Sequence, residues 1–164
     1  MDDMNVYVSI LHDSLRKKLE IITEILYATR QQKKLLSIEK ITDLDTEEFD
    51  RIVDDKQKLI EEMTELDKGF DSVFKKVGIY LSQNKYAYQS RILEMQNLIR
   101  SITDVSVELQ SLEQQNKNFF NKFLREKRHE ISSFKTSNKV AVSYYQNMSN
   151  QHREWQSHFL DQRK

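Results

Sequence analysis

Residues 15–36, LRKKLEIITEILYATRQQKKLL, decide the fold class. Leu15, Leu19, Ile22, Leu26, Thr29, Lys33 and Leu36 follow one another at alternating spacings of four and three. The mean, about 3.5, is the period of a coiled-coil seam. Ile25 and Tyr27 widen that seam toward the broader apolar face of a helix in a bundle. The pattern predicts a first helix over 5–36, with Lys33 in its last turn at the end of the bundle.

Downstream, ITDLDTEEFDRIV marks a helix start. Asp45 is placed to cap it, Glu48 to complete a capping box, and Leu44 and Phe49 to form a hydrophobic staple. Glu47, Glu48 and Asp50 suit the positive end of a helix dipole. Ile52, Val53, Leu59, Ile60, Met63, Leu66, Phe70, Phe74 and Val77 then give a core face over 46–77. Gly69 falls inside this pattern and Gly78 reads as its stop.

A third helix is predicted over 83–134, where neither proline nor glycine occurs and Tyr88, Ile92, Met95, Ile99, Ile102, Val105, Leu109, Leu112, Phe119, Phe123, Ile131 and Phe134 keep helical spacing. Fifty such residues would span roughly 75 Å, so this helix outruns its partners or breaks. The polar run SLEQQNKN is the expected place for a change of partner, and Asn116 there falls on the seam, where a buried asparagine fixes register. After Phe134 the pattern fades, and residues 135–164 read as a tail holding a short docked helix or a frayed segment.

Composition agrees with an all-α chain of three long antiparallel helices plus a tail. The 164 residues include no proline, no cysteine and two glycines, too few turn formers for a sheet protein. Absent cysteine removes disulfides, thiol nucleophiles and thiolate metal sites. The start of the chain is acidic and lacks the apolar run of a signal peptide, and no stretch approaches the 18 apolar residues of a membrane span. Net charge is zero, which argues against bulk binding to nucleic acid. The halves differ: residues 1–82 carry 13 Lys/Arg and 18 Asp/Glu, residues 83–164 carry 13 and 8. The expected meaning is oppositely charged helices lying side by side; a basic binding face is the alternative.

Catalytic and metal-binding patterns are missing from the sequence. Of the histidines, His12, His129, His152 and His158, the last two stand six apart, not the three or four that put two ligands on one helical face. Glu126 and His129 have Glu-x-x-His spacing once, whereas a di-iron bundle needs it on facing helices. The pairs Asp54–Asp55 and Glu61–Glu62 splay around their helix, and no glycine-rich phosphate loop exists. Arg125, Lys127 and Arg128 alternate with Glu126 and Glu130, which weakens a nucleic-acid reading. No catalytic residue, cofactor site or metal site is expected, and function is sought in protein binding.

Several segments resemble the FlgN family of flagellar type III export chaperones. LHDSLRKKLEIITEILYATRQQKKLL looks like that family's first helix. DTEEFDRIVDDKQKLIEEMTELDKGFDSVF, with Lys56 near its middle, resembles the second. LIRSITDVSVELQSLEQQNKNFF, with its Glu113-x-x-Asn116-Lys117 step, resembles the third, and VAVSYYQNM followed by SHFLDQRK is similar to aromatic tails in some members. The resemblance implies a cytoplasmic chaperone without cofactor or catalysis. It would bind the C-terminal helices of hook-associated proteins at the hook–filament junction, keep them unpolymerised and bring them to export-gate or export-ATPase components. A structural coiled coil and a chaperone for another secretion substrate are the competing readings.

Tyr144, Tyr145, Met148, Trp155, Phe159 and Leu160 lie beyond the last strong heptad. They are the expected partner-binding residues, with Phe119 and Phe123 on the third helix as the other candidate surface. The competing expectation is that the tail residues only close the bundle.

Overall fold

In the computed structural model, the backbone is described for residues 2–39, 43–124 and 132–160, and side chains for 4–39, 43–122 and 134–156. Four helices follow in order: α1 (Asp2–Leu36), α2 (Thr46–Gln83), α3 (Gln89–Leu124) and α4 (Ser132–Leu160). Among the described residues there is no strand.

The helix starts and stops obey local chemistry. Asp45 caps α2, its carboxylate accepting from the Glu48 N–H at 3.1 Å. Such a cap is worth roughly 1 kcal/mol. The other half of the expected box is spent elsewhere, since the Glu48 carboxylate takes Arg51 Nε at 2.9 Å. Leu44 and Phe49 join one apolar cluster, as a staple requires. Gly78 does not stop the helix. It is buried inside α2, which runs on to Gln83 and ends at Asn84.

The contacts set the directions. Tyr88 donates to Asn5 at 2.6 Å and His12 meets Glu94 at 2.9 Å, so α1 and α3 run parallel. Lys18 pairs with Asp67 and Gln32 with Lys56, so α2 runs antiparallel to α1. Asn138 reaches Glu113, and His152 reaches Thr103, so α4 runs antiparallel to α3. α1 packs on α2 and α3, and α4 packs on the same two from the far side. The result is an up-down-up-down bundle with α1 and α4 on one diagonal.

The single helix expected over 83–134 is two helices. The rings of Phe120 and Phe134 pack at a tilt with centroids 4.3 Å apart. In one continuous helix fourteen residues would separate them by about 21 Å, so the chain reverses between Leu124 and Ser132. Ile131 and the Glu126/His129 pair lie outside the described residues. Phe49 completes an aromatic trio with Phe120 and Phe134, and with Leu36 and Val53 it closes this end of the bundle.

The seam of α1 also differs from the expected one. Its buried line is Val8, Leu11, Leu15, Lys18, Ile22, Ile25, Thr29, Gln32 and Leu36. Leu19 and Lys33 sit at its edges, half-buried, and Tyr27 is 66% exposed, outside the apolar face. Lys18 and Gln32 take the places that the spacing counted from Leu15 gives to Leu19 and Lys33.

Candidate functional site

The residues expected to be adhesive lie on α4, and their described side chains face inward. Phe134, Asn138, Ala141, Tyr145, Met148, His152 and Trp155 are all buried. They alternate by four and three along α4, a heptad seam with polar residues at two of its positions. Tyr145 is 0% exposed and Trp155 2%. Tyr144 is half-buried and Phe119 half-buried against the Phe49 cluster. The side chains of Phe123, Phe159 and Leu160 lie outside the described residues. Tyr145, Met148 and Trp155 are core residues of the bundle in this conformation, and they meet a partner only if α4 leaves its seat.

That seat has a polar floor at two levels. At the first, the Lys18 ammonium lies 2.8 Å from Asp67, 3.3 Å from His152 Nε2 and 5.1 Å from the centroid of the Trp155 ring. The Tyr144 hydroxyl donates to the second oxygen of Asp67, and Trp155 Nε1 donates to Asp71 at 3.1 Å. The Trp155 ring packs 4.3 Å from that of Phe70. Burial pulls Lys18 below the usual lysine range, and the Asp67 charge opposes that pull. Burial, with Asp67 beside it, pushes the Tyr144 phenol up, so it stays protonated and donates.

At the second level Lys56 pairs with Glu113 and donates to Gln32 at 2.7 Å. Asn138 donates to the other Glu113 oxygen at 2.5 Å, and Asn116 donates to the Thr29 carbonyl at 3.2 Å. Glu113 is 0% exposed, and burial again pulls Lys56 down against the attraction of Glu113. All four helices contribute to each level. The levels lie two heptads apart on α1 (Lys18, Gln32) and on α4 (Asn138, His152), about 21 Å along the axis. Sliding α1, α2 or α3 by one turn would strand a buried charge, which costs far more than an exposed pair returns, and sliding α4 would strand the buried Asn138 and His152. The two levels therefore set register.

The two ion pairs have a further property. Lys18–Asp67 joins α1 to α2, and Lys56–Glu113 joins α2 to α3. Neither pair needs α4. With α4 lifted, the exposed seat would show two ion pairs between its apolar stretches rather than a continuous greasy groove. Between the levels, the Tyr145 hydroxyl and Ser106 Oγ are buried without a hydrogen-bond partner. Such groups oppose docking of α4 by roughly 1–3 kcal/mol each.

His152 is the proton-sensitive member. Lys18 must donate to Nε2, so Nδ1 carries the hydrogen and donates to Thr103 Oγ1 at 2.8 Å; Thr103 in turn donates to the Ile99 carbonyl. Burial, then the Lys18 ammonium, hold the imidazole neutral down to about 3. In the unfolded chain it titrates near 6.5. Between those values the unfolded chain binds one more proton, so stability is full above about 6.5 and falls as pH falls, by about 1.4 kcal/mol per unit. Urea melts should show the advantage of wild type over His152→Gln shrinking by about 2 kcal/mol between pH 7.5 and pH 5. Parallel losses in the two proteins would mean that His152 is not held neutral.

The described residues contain no group of three or more His, Cys, Asp or Glu able to hold a metal ion, and none of their helices is long and apolar enough to cross a membrane. Lys18, Asp67, Asp71, Asn138 and His152 escaped the sequence reading as site residues. The available signal was polar residues recurring at heptad positions, such as Lys18 and Gln32 or Asn138 and His152.

Comparisons with curated proteins and with solved structures find no match. Residues 1–152 match the family model described as FlgN protein, a span that takes in α1, α2, α3 and most of α4, and the chain belongs to the FlgN family, the flagellar export chaperones.

Proposed function

We propose that this chain is a cytoplasmic chaperone for the C-terminal helices of hook-associated proteins. It holds them unassembled and delivers them to the export apparatus, and the partner helix takes the seat that α4 occupies in the free chain. The observation that carries the reading is the seat itself, an amphipathic groove whose ion pairs are complete on α1, α2 and α3 alone. Family membership supplies the substrate class. Helix-in-groove recognition suits a seam of large side chains at heptad spacing. Tyr144, Tyr145, Met148, Trp155, Phe159 and Leu160 act in this reading as the displaceable cover. Phe119 and Phe123 form the alternative surface if α4 stays in place.

A covalent clamp tests it. The chain has no cysteine, so Asp71→Cys with Gln151→Cys, whose native side chains meet at 3.4 Å, can be bridged by a short bismaleimide. The clamped protein should bind a C-terminal helical fragment of a hook-associated protein at least tenfold more weakly than the same variant unclamped, about 1.4 kcal/mol. Equal binding would move the partner to the exterior of α3. No binding by either form, or by wild type, would remove the substrate assignment.

A further inference from the structure

The expected neutralisation of basic by acidic helices does not occur around α4. Among the described residues, the ion pairs between helices are His12–Glu94, Lys18–Asp67, Arg30–Glu108 and Lys56–Glu113. None uses a lysine of α4. The basic surplus of the second half is concentrated instead. Residues 114–143 hold seven Lys/Arg against two Asp/Glu, which is the whole +5 of residues 83–164. The stretches 114–122 and 134–143 hold four lysines and no acid.

Three of those lysines line one cleft. Between the last turns of α3 and the first turns of α4 lies a cavity of about 530 Å³ whose lining includes Lys117, Lys135 and Lys139. Gln114, Asn121, Asn138 and Ser143 add polar groups, and among the described residues no carboxylate lines it. Lys135 and Lys139 stand one turn apart on α4, and Lys117 comes from α3 on the opposite wall. All three are exposed and form no ion pair among the described residues.

We propose that this cleft is a docking site for an acidic helical segment of a partner protein, with carboxylates spaced one turn apart. It borders the seat of α4, sharing Phe134 and Asn138 with it, and exists while α4 is docked. Ammonium groups on two walls, with carboxamides between them, match carboxylates three or four residues apart on one helical face. The volume is that of a site taking a few side chains rather than a whole domain. Nucleic acid fits less well. The aromatic rings at the cleft, Phe120 and Phe134, are buried and offer no stacking face, and the lining contains no arginine among the described residues. A lipid surface fits less well again, because Val142 is the one apolar side chain of the described lining that is not buried.

The test uses the full chain and its Lys117→Gln/Lys135→Gln/Lys139→Gln variant. The probe is an alanine-rich helical peptide with four glutamates at i, i+4 spacing and no basic residue. Amide shifts in a titration should be saturable, should map to 114–122 and 134–143, and should weaken as salt is raised. The triple variant should bind at least tenfold more weakly at an unchanged melting temperature. The proposal is overturned if shifts are absent, if they spread over the other lysines and persist in the variant, or if a single-stranded oligonucleotide or phosphatidylglycerol vesicles bind the same lysines more tightly than the peptide.

Discussion

Trp155→Ala should destabilise the folded chain by about 3–5 kcal/mol, the range for truncating a buried large aromatic. For a chain of this size that lowers the melting temperature by about 6–20 °C. The ring is packed on Phe70 and lies over the Lys18 ammonium, and its N–H is spent on Asp71. The alanine variant therefore loses packing, uncovers a buried cation and leaves a carboxylate oxygen without its donor. Trp155→Phe keeps the ring contact and should recover more than half of the loss. Circular dichroism at 222 nm during thermal and urea unfolding is the measurement. A melt within a degree or two of wild type would mean that α4 does not sit on the bundle in solution. Trp155 is also the sole tryptophan, so its emission reports the same event without a label. It should be blue-shifted in the free chain and change when a partner helix lifts α4.

Legibility in the sequence stopped where the core turned polar. The helical class followed from spacing and from the lack of proline and glycine, and α2 followed closely because its seam is mostly apolar and its start carries Asp45. On α1, the four-and-three spacing counted from Leu15 selected Leu19 and Lys33, while the packed seam runs through Lys18 and Gln32. The helix was right and its rotation was off by part of a turn, because a lysine becomes a core residue only through an acid on another helix. α4 failed for the same reason. With Ala141 small, Asn138 and His152 break the apolar pattern at two seam positions, so a 29-residue helix looked like a tail. Their partners, Glu113, Thr103 and Lys18, are distant in sequence and no local pattern names them. The change of direction from α3 to α4 was hidden because no glycine or proline marks it, and the contacts that require it, Phe120 with Phe134, Glu113 with Asn138 and Thr103 with His152, join residues of two different helices.

The second large effect is expected at the buried pair Lys56–Glu113. Glu113→Leu leaves an ammonium in the core with Gln32 as its remaining hydrogen-bond partner. Lys56→Met leaves a carboxylate held by Asn138 and Thr29. Breaking a buried pair from either side costs about 3–5 kcal/mol, whereas replacing both partners by apolar groups is often neutral or stabilising by about 1–4 kcal/mol. Urea melts of the two single variants and of Lys56→Met/Glu113→Leu should reproduce that order, with strong coupling in the cycle. Single variants within 1 kcal/mol of wild type would mean that water reaches the pair. The double variant also separates stability from function. With the ion pair gone, the seat of α4 becomes more apolar at this level, between the Phe49 cluster and Ile60, with Gln32 remaining beside it. Asn138 loses its carboxylate acceptor on Glu113, so Asn138→Leu is added to the pair of substitutions; α4 should then hold harder, and a competing partner helix should bind more weakly although the bundle is no less stable. A variant of this kind that binds the partner as wild type does would show that the charges serve register alone. Weaker binding in a protein of equal or greater stability would show that the ion pair keeps α4 displaceable.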